Sequence, residues 1–401
     1  MTEWKTVTLS DLGEIIGGAT PATSRDDYYN GDIPWLTPKD LAGHSGRYIS
    51  RGERNITQDG LNSCSTRLLP KNTVLFSSRA PIGYIAIAEN DICTNQGFKS
   101  IVPNAQVSPL FLYYLLKYYK DEIEAMGSGT TFKEVSGSTM RNIKVRIPVL
   151  LDIQHRIADV LDVLDAKIEL NQKINDNLLQ QLNTIFKHWF TDNPQLDAMV
   201  QIPLADLCLV VTKGTTPTTL GKPFVSEGIN FIKAESILNS HAIDKNKFGF
   251  IDPETNDLLK RSIIYSGDIV FTIAGTLGRF ALVDDSVLPA NTNQAVAIIR
   301  ANPKKVTPEY LYSFFLGNWH NDYYTKRIQQ AVQANLSLGT IKSLPIPILS
   351  DRAMAEYLGI ISPIITMTKS NELEITKLKT IRDTLLPQLM SGELDVSALD
   401  L

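Results

Sequence analysis

Cysteine is scarce: the 401-residue chain has three, Cys64, Cys93 and Cys208. They stand too far apart for a CxxC-type metal cluster, and their odd number argues against a disulfide framework, so they are expected as buried thiols. No apolar run approaches the eighteen or so residues of a spanning helix, and no basic-then-apolar leader opens the chain, which argues against a membrane span and against secretion. A cytoplasmic location is the default expectation. The motifs of several chemistries are also missing. There is no G-x-x-x-x-G-K-[ST] phosphate loop, no G-x-G-x-x-G fingerprint, no H-E-x-x-H zinc helix, no G-x-S-x-G elbow and no Asn/Asp-Pro-Pro-aromatic methyltransferase pocket. The five histidines, His44, His155, His188, His241 and His320, are scattered without a nucleophile or acid beside them, and each is expected to be structural or solvated. No catalytic residue and no metal site are assigned.

Charge of one sign is lacking as well, with a net charge of −4. The distribution is uneven: +1 over residues 1–150 and +2 over 200–350, against −4 over 151–199 and −3 over 351–401. Acid is thus concentrated in two short segments, and the two large blocks are mildly basic.

What is present is an internal repeat. Val7-Thr8-Leu9-Ser10-Asp11-Leu12 returns as Ile202-Pro203-Leu204-Ala205-Asp206-Leu207, Gly18-Ala19-Thr20-Pro21 as Gly214-Thr215-Thr216-Pro217, and Ile33-Pro34-Trp35-Leu36 as Ile229-Asn230-Phe231-Ile232. Val74-Leu75-Phe76 with Ile82-Gly83 matches Ile269-Val270-Phe271 with Leu277-Gly278, and Thr94-Asn95-Gln96 matches Thr292-Asn293-Gln294. The matches stay collinear at an offset that drifts only from 195 to 198, which chance similarity would not do.

Each copy opens with short β-like runs (73–77, 84–88, 268–273, 295–299) broken by Gly, Pro and Asn, then carries a short helix signalled by Ser or Thr before Pro at 109–119 and 308–316. A long helix ends each copy. In the first, Ile157, Leu161, Leu164, Ile168, Asn171, Asn175, Leu178, Leu182, Ile185 and Trp189 form a heptad seam. In the second, Tyr357, Ile361, Ile364, Thr368, Asn371, Ile375, Leu378, Arg382, Leu385 and Leu389 do the same. The economical way to bury two such stripes is against each other, as an antiparallel coiled coil. With centres aligned, Asn171 and Asn371 meet; on splayed helices they face water instead. Pro363 is expected to kink the second helix or delay its start. Apolar residues outside the seam, including Val160, Val163, Ile174, Leu179, Phe186, Phe190, Leu358, Ile365, Leu373, Ile381 and Leu386, are more than a two-stranded seam uses. Some are expected on the chain's own domains and the surplus on a docking face.

The fold class is therefore α+β, with two similar globular domains and two long helices related by a pseudo-twofold repeat. The expected division is 1–150, first globular domain; 151–192, first long helix; 193–350, second globular domain; and 351–401, second long helix and tail.

The chain resembles the specificity subunits of type I restriction-modification systems, and does so over nearly its whole length. The residues that carry this are Gln154-His155-Arg156-Ile157-Ala158, Leu385-Leu386-Pro387-Gln388-Leu389-Met390-Ser391-Gly392-Glu393-Leu394, and Arg79-Ala80-Pro81-Ile82-Gly83 with Thr94-Asn95-Gln96-Gly97. Arg352-Ala353-Met354-Ala355 lacks the Gln and the Ile-Ala pair at the equivalent start of the second helix. The resemblance implies a non-catalytic subunit that serves phage defence, each domain reading one half of a bipartite asymmetric site on double-stranded DNA. It implies that the helices act as spacer and platform for two methyltransferase subunits, with restriction subunits held through these. S-adenosylmethionine, ATP and magnesium would then belong to the partners and none to this chain. A helix of about 37 residues is on the order of 55 Å long, enough to separate two half-sites by a turn of DNA or more.

Loop residues with suitable hydrogen-bonding chemistry are the candidate DNA contacts: Thr20, Lys39, Arg47, Arg51, Ser78, Arg79 and Lys133 in the first copy, and Thr216, Lys233, Ser236, Thr276, Arg279, Gln333 and Asn335 in the second. Asn95-Gln96 and Asn293-Gln294 read as turns that brace these loops, and Gly-Ser-Gly-Thr-Thr at 127–131 as a flexible loop near the target or a plain linker. The competing readings are a duplicated protein-binding scaffold without a nucleic-acid role, and an enzyme acting alone.

Overall fold

The short apolar runs pair into small sheets, and the helix that follows each set covers them. The computed structural model describes residues 2–129, 133–194, 199–328 and 336–396. It resolves into two compact units, Met1–Asn171 with Glu374–Leu401, and Gln172–Leu373.

In the first unit a five-stranded sheet has the order Gly13–Gly17, Lys99–Pro103, Val74–Ser78, Ile82–Ala88, Tyr48–Ile49. A three-stranded sheet joins Arg54–Ile56, Tyr29–Leu36 and Cys93–Thr94, and Trp4–Thr8 pairs with Lys144–Pro148. The helix Pro109–Tyr118 has proline in its first turn, where the missing N–H costs nothing. Its Phe111, Leu112, Tyr114 and Leu115 are fully buried against the sheet and against Ile157 and Leu161 of the first long helix.

The second unit repeats this plan. Cys208–Lys213, Val296–Ala301, Ile269–Thr272 and Phe280–Leu282 form a four-stranded sheet, Gly249–Ile251, Ile229–Ile232 and Ala290–Thr292 a three-stranded one, and Gln201–Pro203 pairs with Pro345–Pro347. Its helix Pro308–Leu316 is capped by Thr307, whose hydroxyl accepts from Tyr310 N, and buries Tyr310, Phe314 and Phe315. The α+β class and the repeat are thus as expected from the sequence.

The long helices run Leu151–Phe186, continued by one turn of π-helix over Lys187–Thr191, and Asp351–Ser391. Gln154 locks the first to its domain: the side chain is fully buried, accepts from Ser108 N (3.1 Å) and donates to the carbonyls of Gln106 (3.0 Å) and Pro148 (3.1 Å). The second helix lacks that glutamine and starts on Ser350 instead, whose carbonyl accepts from Met354 N at 2.7 Å. Its start is not delayed by Pro363. The helix passes through that residue, which faces solvent, and the carbonyl that proline cannot bond belongs to Gly359, itself exposed, so the lost bond is not lost in a dry interior.

The helices pair antiparallel within each unit. In the first unit Asn171 Nδ2 donates to Glu374 (2.8 Å), and Arg382 binds Asp165 (2.7 Å). In the second, Asn371 Nδ2 donates to Asn175 Oδ1 (2.8 Å), and Asn175 Nδ2 donates to the Thr368 carbonyl (3.2 Å). Asn171 and Asn371 therefore take different partners rather than each other, because the register lies one helical turn from the one that aligning the two sequence patterns suggests.

Leu161, Ile168, Leu182 and Ile361 of the seam are buried, while Leu164, Leu178, Ile364, Ile375, Leu378 and Leu385 are half-buried. Asp165, next to Leu164, goes inside in its place. It is 5% exposed and accepts from Tyr114 Oη (3.0 Å) as well as from Arg382, so the buried charge is paired and hydrogen-bonded. The surplus apolar residues divide as expected in part. Phe186 and Phe190 join the second core, whereas Val163, Leu373 and Ile381 stay exposed.

Of the cysteines only Cys93 is fully buried, and Cys64 and Cys208 are half-buried. Burial pushes the thiols of Cys93 and Cys208 up to about 11 and about 12, which keeps both protonated and unreactive.

One buried carboxyl makes stability depend on pH. Glu372 faces Lys369, His241 and Tyr312 in a pocket of the second unit. Desolvation pushes its pKa up to about 8, against the pull of Lys369 and with help from Asp284. A raised acid favours the folded state while protonated. Its contribution is complete below about 4.3, the unfolded value, and is lost as pH rises through about 8. Thermal melts across that window are expected to show a falling Tm, and Glu372→Gln to remove that part of the fall. An unchanged slope in the variant would contradict the assignment.

Candidate nucleic-acid interface

Two loops form the same corner in both units. In the first, Gly18–Pro21 leaves the strand Gly13–Gly17 and lies on Thr94–Gly97. Ala19 N donates to the Thr94 carbonyl (3.1 Å), and Trp35 Nε1 donates to the Ala19 carbonyl (3.0 Å). In the second, Gly214–Pro217 lies on Thr292–Gln294, and Thr215 N donates to the Thr292 carbonyl (3.2 Å). Only glycine fits at 18 and 214, since a Cβ would stand 2.0 Å from the Thr94 oxygen in one unit and 1.9 Å from the Thr292 oxygen in the other.

The second loop of each pair is an Asx turn. Asn95 Oδ1 accepts from Gly97 N (2.8 Å) and Asn293 Oδ1 from Ala295 N (3.1 Å). These asparagines brace the loops as the sequence suggested. The glutamines beside them do something else: Gln96 and Gln294 are exposed, and the hydroxyls of Thr20 and Thr216 donate to their side-chain oxygens.

Several other candidates gather around these corners. In the first unit Lys39 is exposed and pairs with Glu53 (3.0 Å), while Arg79 pairs with Glu134 (3.7 Å). Arg51 and Lys133 are exposed, and neither side chain has a hydrogen-bond or ion-pair partner among the described residues. In the second, the Lys233 ammonium stands 5.3 Å over the Phe224 ring, Thr276 Oγ1 donates to the Ala234 carbonyl (3.3 Å), and Arg279 Nη1 donates to the Ile237 carbonyl (3.2 Å).

Three candidates are structural instead. Ser78 is fully buried and its hydroxyl donates to the Gly97 carbonyl (3.2 Å). Ser236 is also fully buried, between Lys233 N (3.3 Å) and the Lys247 carbonyl (3.1 Å). Arg47 is 7% exposed and turns inward to Asp162 and Glu169 of the first long helix, where two carboxylates compensate its burial. Gln333 and Asn335 lie outside the described residues, as do Thr130 and Thr131 of the 127–131 loop. The base of that loop is closed by reciprocal backbone bonds between Ser128 and Glu134 at 3.0 and 2.9 Å.

Sequence reasoning missed two cations beneath these corners. Lys99 faces Gly17 across the sheet in the first unit, and Lys213 faces Ala297 in the second. By the repeat, Gly17 corresponds to Lys213 and Lys99 to Ala297. Cross-strand partners share a face, so this strand pair presents one lysine in each unit, supplied from opposite strands. No single-strand comparison shows this, because neither position matches its counterpart. Lys99 also binds Glu134 at 3.2 Å, whereas Lys213 is exposed.

The histidines do not assemble a site. His320 is buried among aromatic rings and burial pushes it down to about 4, and His241 stacks on Phe280 at 4.1 Å. His44 bonds the Tyr48 carbonyl (3.0 Å), and His155 and His188 are exposed. Among the described residues no group of three or more His, Cys, Asp or Glu could hold a metal ion, and no helix is long and apolar enough to cross a membrane.

The model of the type I restriction modification DNA specificity domain matches the chain twice, over residues 1–180 and 197–379. The type I restriction enzyme MjaIX specificity subunit of Methanocaldococcus jannaschii is 32% identical over 99% of this chain and 95% of its own length. The HindI specificity subunit of Haemophilus influenzae is 29% identical over 45% of this chain and 40% of its own. Among solved structures, the S subunit of a type I restriction-modification system from M. genitalium has the same fold, with a TM-score of 0.60 at 17% identity over 97% of this chain and 96% of that one.

Proposed function

The chain belongs to the family of type I restriction-modification DNA specificity subunits, and from that premise we propose that each of its two recognition domains reads one half of a bipartite asymmetric DNA target. It is a non-catalytic subunit of a complex that modifies and restricts DNA. The long helices set the separation of the half-sites and dock two methyltransferase subunits, through which restriction subunits are held. S-adenosylmethionine, ATP and magnesium belong to those partners, and the assembly works in the cytoplasm.

The observation that carries this reading is the duplicated corner. The same glycine, the same Thr–Gln pair and one lysine occur in each unit, while the side chains around them differ. Two such surfaces suit two different half-sites on one duplex. The exposed apolar residues Val163 and Leu170 on the first helix, and Ile360 and Met367 on the second, supply docking surface for other subunits.

Exchanging residues 1–150 for the equivalent domain of a relative, with the complete system expressed in a host, is expected to change one half of the methylated motif only. Methylome sequencing reads the outcome. A hybrid in which both halves changed would refute the division of labour, and a duplicated protein-binding scaffold would leave no sequence-dependent DNA binding to change.

A further inference from the structure

We infer that Gln96 and Gln294 grip the sugar-phosphate backbone of DNA rather than base edges, so that each recognition domain carries one sequence-independent anchor built from a Thr–Gln pair and a lysine. The inference rests on the function proposed above and assigns a role to a part of that surface.

The first argument is chemical. A glutamine reads adenine with both ends of its amide, the oxygen accepting from N6 and the nitrogen donating to N7. In both units the amide oxygen already accepts a threonine hydroxyl, Thr20 for Gln96 and Thr216 for Gln294. One lone pair of that oxygen is thereby taken, whereas neither N–H of the NH2 group has a partner among the described residues, so donation is the larger part of what the side chain still offers. A phosphate oxygen is an acceptor only, and so is its natural partner.

The second argument comes from the duplication. Domains that read different bases should differ where they touch bases and agree where they touch what every half-site shares. The side chains nearby differ: Lys39 pairs with Glu53 in one unit, and Lys233 covers Phe224 in the other. The Thr–Gln pair does not differ, nor does the glycine that seats its loop. The third argument is the lysine. On the strand pair beneath the corner each unit keeps one cation, although Lys99 and Lys213 sit on opposite strands of the paired register. A cation held at one place by two different routes is expected where a phosphate must be neutralised.

The test uses the chain in complex with its methyltransferase partners. Affinity is measured over a range of salt for a duplex bearing the methylated motif and for one with both half-sites scrambled. Gln96→Glu and Gln294→Glu keep an oxygen for the threonine hydroxyl and replace the outward donor by a charged acceptor. Each is expected to weaken binding at least about tenfold on both duplexes, with unchanged thermal stability and an unchanged methylated motif. Lys213→Ala, at an exposed position, is expected to lower the slope of log affinity against log salt by about one.

Glu variants that bind normally would show the glutamines to be loop braces and overturn the inference. A change of the motif in one half would make them base readers and overturn it equally. If the unmodified complex failed to distinguish the two duplexes, the specificity reading itself would fall, and the two failures are told apart by that control.

Discussion

Phe190→Ala is expected to destabilise the second unit by about 4 kcal/mol. The ring is fully buried on the π-helical turn that ends the first long helix. Its centroid lies 4.7 Å from that of Phe314, 5.0 Å from Phe186, 5.1 Å from Tyr357 and 6.1 Å from Tyr310, mostly edge to face or tilted. Removing it costs the transfer energy of the ring and leaves a cavity whose walls are large rigid rings. Those walls cannot collapse easily, because Phe186 already fills the space in front of Gly317, where a Cβ would lie 2.2 Å from the ring. Denaturant unfolding with hydrogen exchange resolved over residues 172–373 would measure the loss. A value under about 1 kcal/mol would mean that the cluster repacks and that the helix is held by something else.

Arg47→Ala is expected to cost about 2–3 kcal/mol in the first unit, somewhat less than a fully buried pair because Asp162 is partly open to water. Arg47 Nη1 binds the Asp162 carboxylate and donates to its carbonyl (3.1 Å). Nε and Nη2 hold the two oxygens of Glu169 at 3.0 and 3.2 Å, and the backbone N–H adds a third bond to that carboxylate at 2.9 Å. Burial works against the charge of the guanidinium, but Glu169 and Asp162 more than offset it and its pKa is raised. Alanine leaves two carboxylates facing each other across two helical turns with no cation between them. Arg47→Lys should rescue little, since one ammonium cannot span both groups in a fork geometry. Hydrogen exchange over residues 151–171 is the readout, and a double-mutant cycle with Glu169→Gln should give a coupling above about 1 kcal/mol. Purely additive losses would show that the clamp contributes nothing as a pair.

The first of these sites was half legible and the second was not. Phe190 was visible as an apolar residue beyond what the helix seam uses, and periodicity could say that it must be buried somewhere. Periodicity already puts Phe186 and Phe190, four residues apart, on one side, but it could not say that the helix ends in a π turn or that the pair meets Phe314 and Tyr357, which come much later in the chain. Arg47 looked like a solvent-facing loop cation in a candidate DNA surface. Its inward turn depends on Asp162 and Glu169, more than a hundred residues further on, and nothing in the local sequence announces that pairing. Ser78 and Ser236 misled for a related reason. A hydroxyl that can contact a base can equally bond a buried carbonyl, and only burial tells the two apart.

What the amino-acid order determined alone was everything carried by period and repetition. The duplication, the α+β class, the short helices after proline and the two long amphipathic helices all follow from spacing, which is a local property of the chain. Tertiary structure decided the partners. Asn171 with Glu374, Asn371 with Asn175, Asp165 with Arg382, and one lysine per unit from opposite strands depend on the register between segments far apart in sequence. A heptad stripe accepts several registers at nearly equal apolar burial. The choice among them falls to the few buried polar groups, which tolerate only the alignment in which each finds its hydrogen-bond partner.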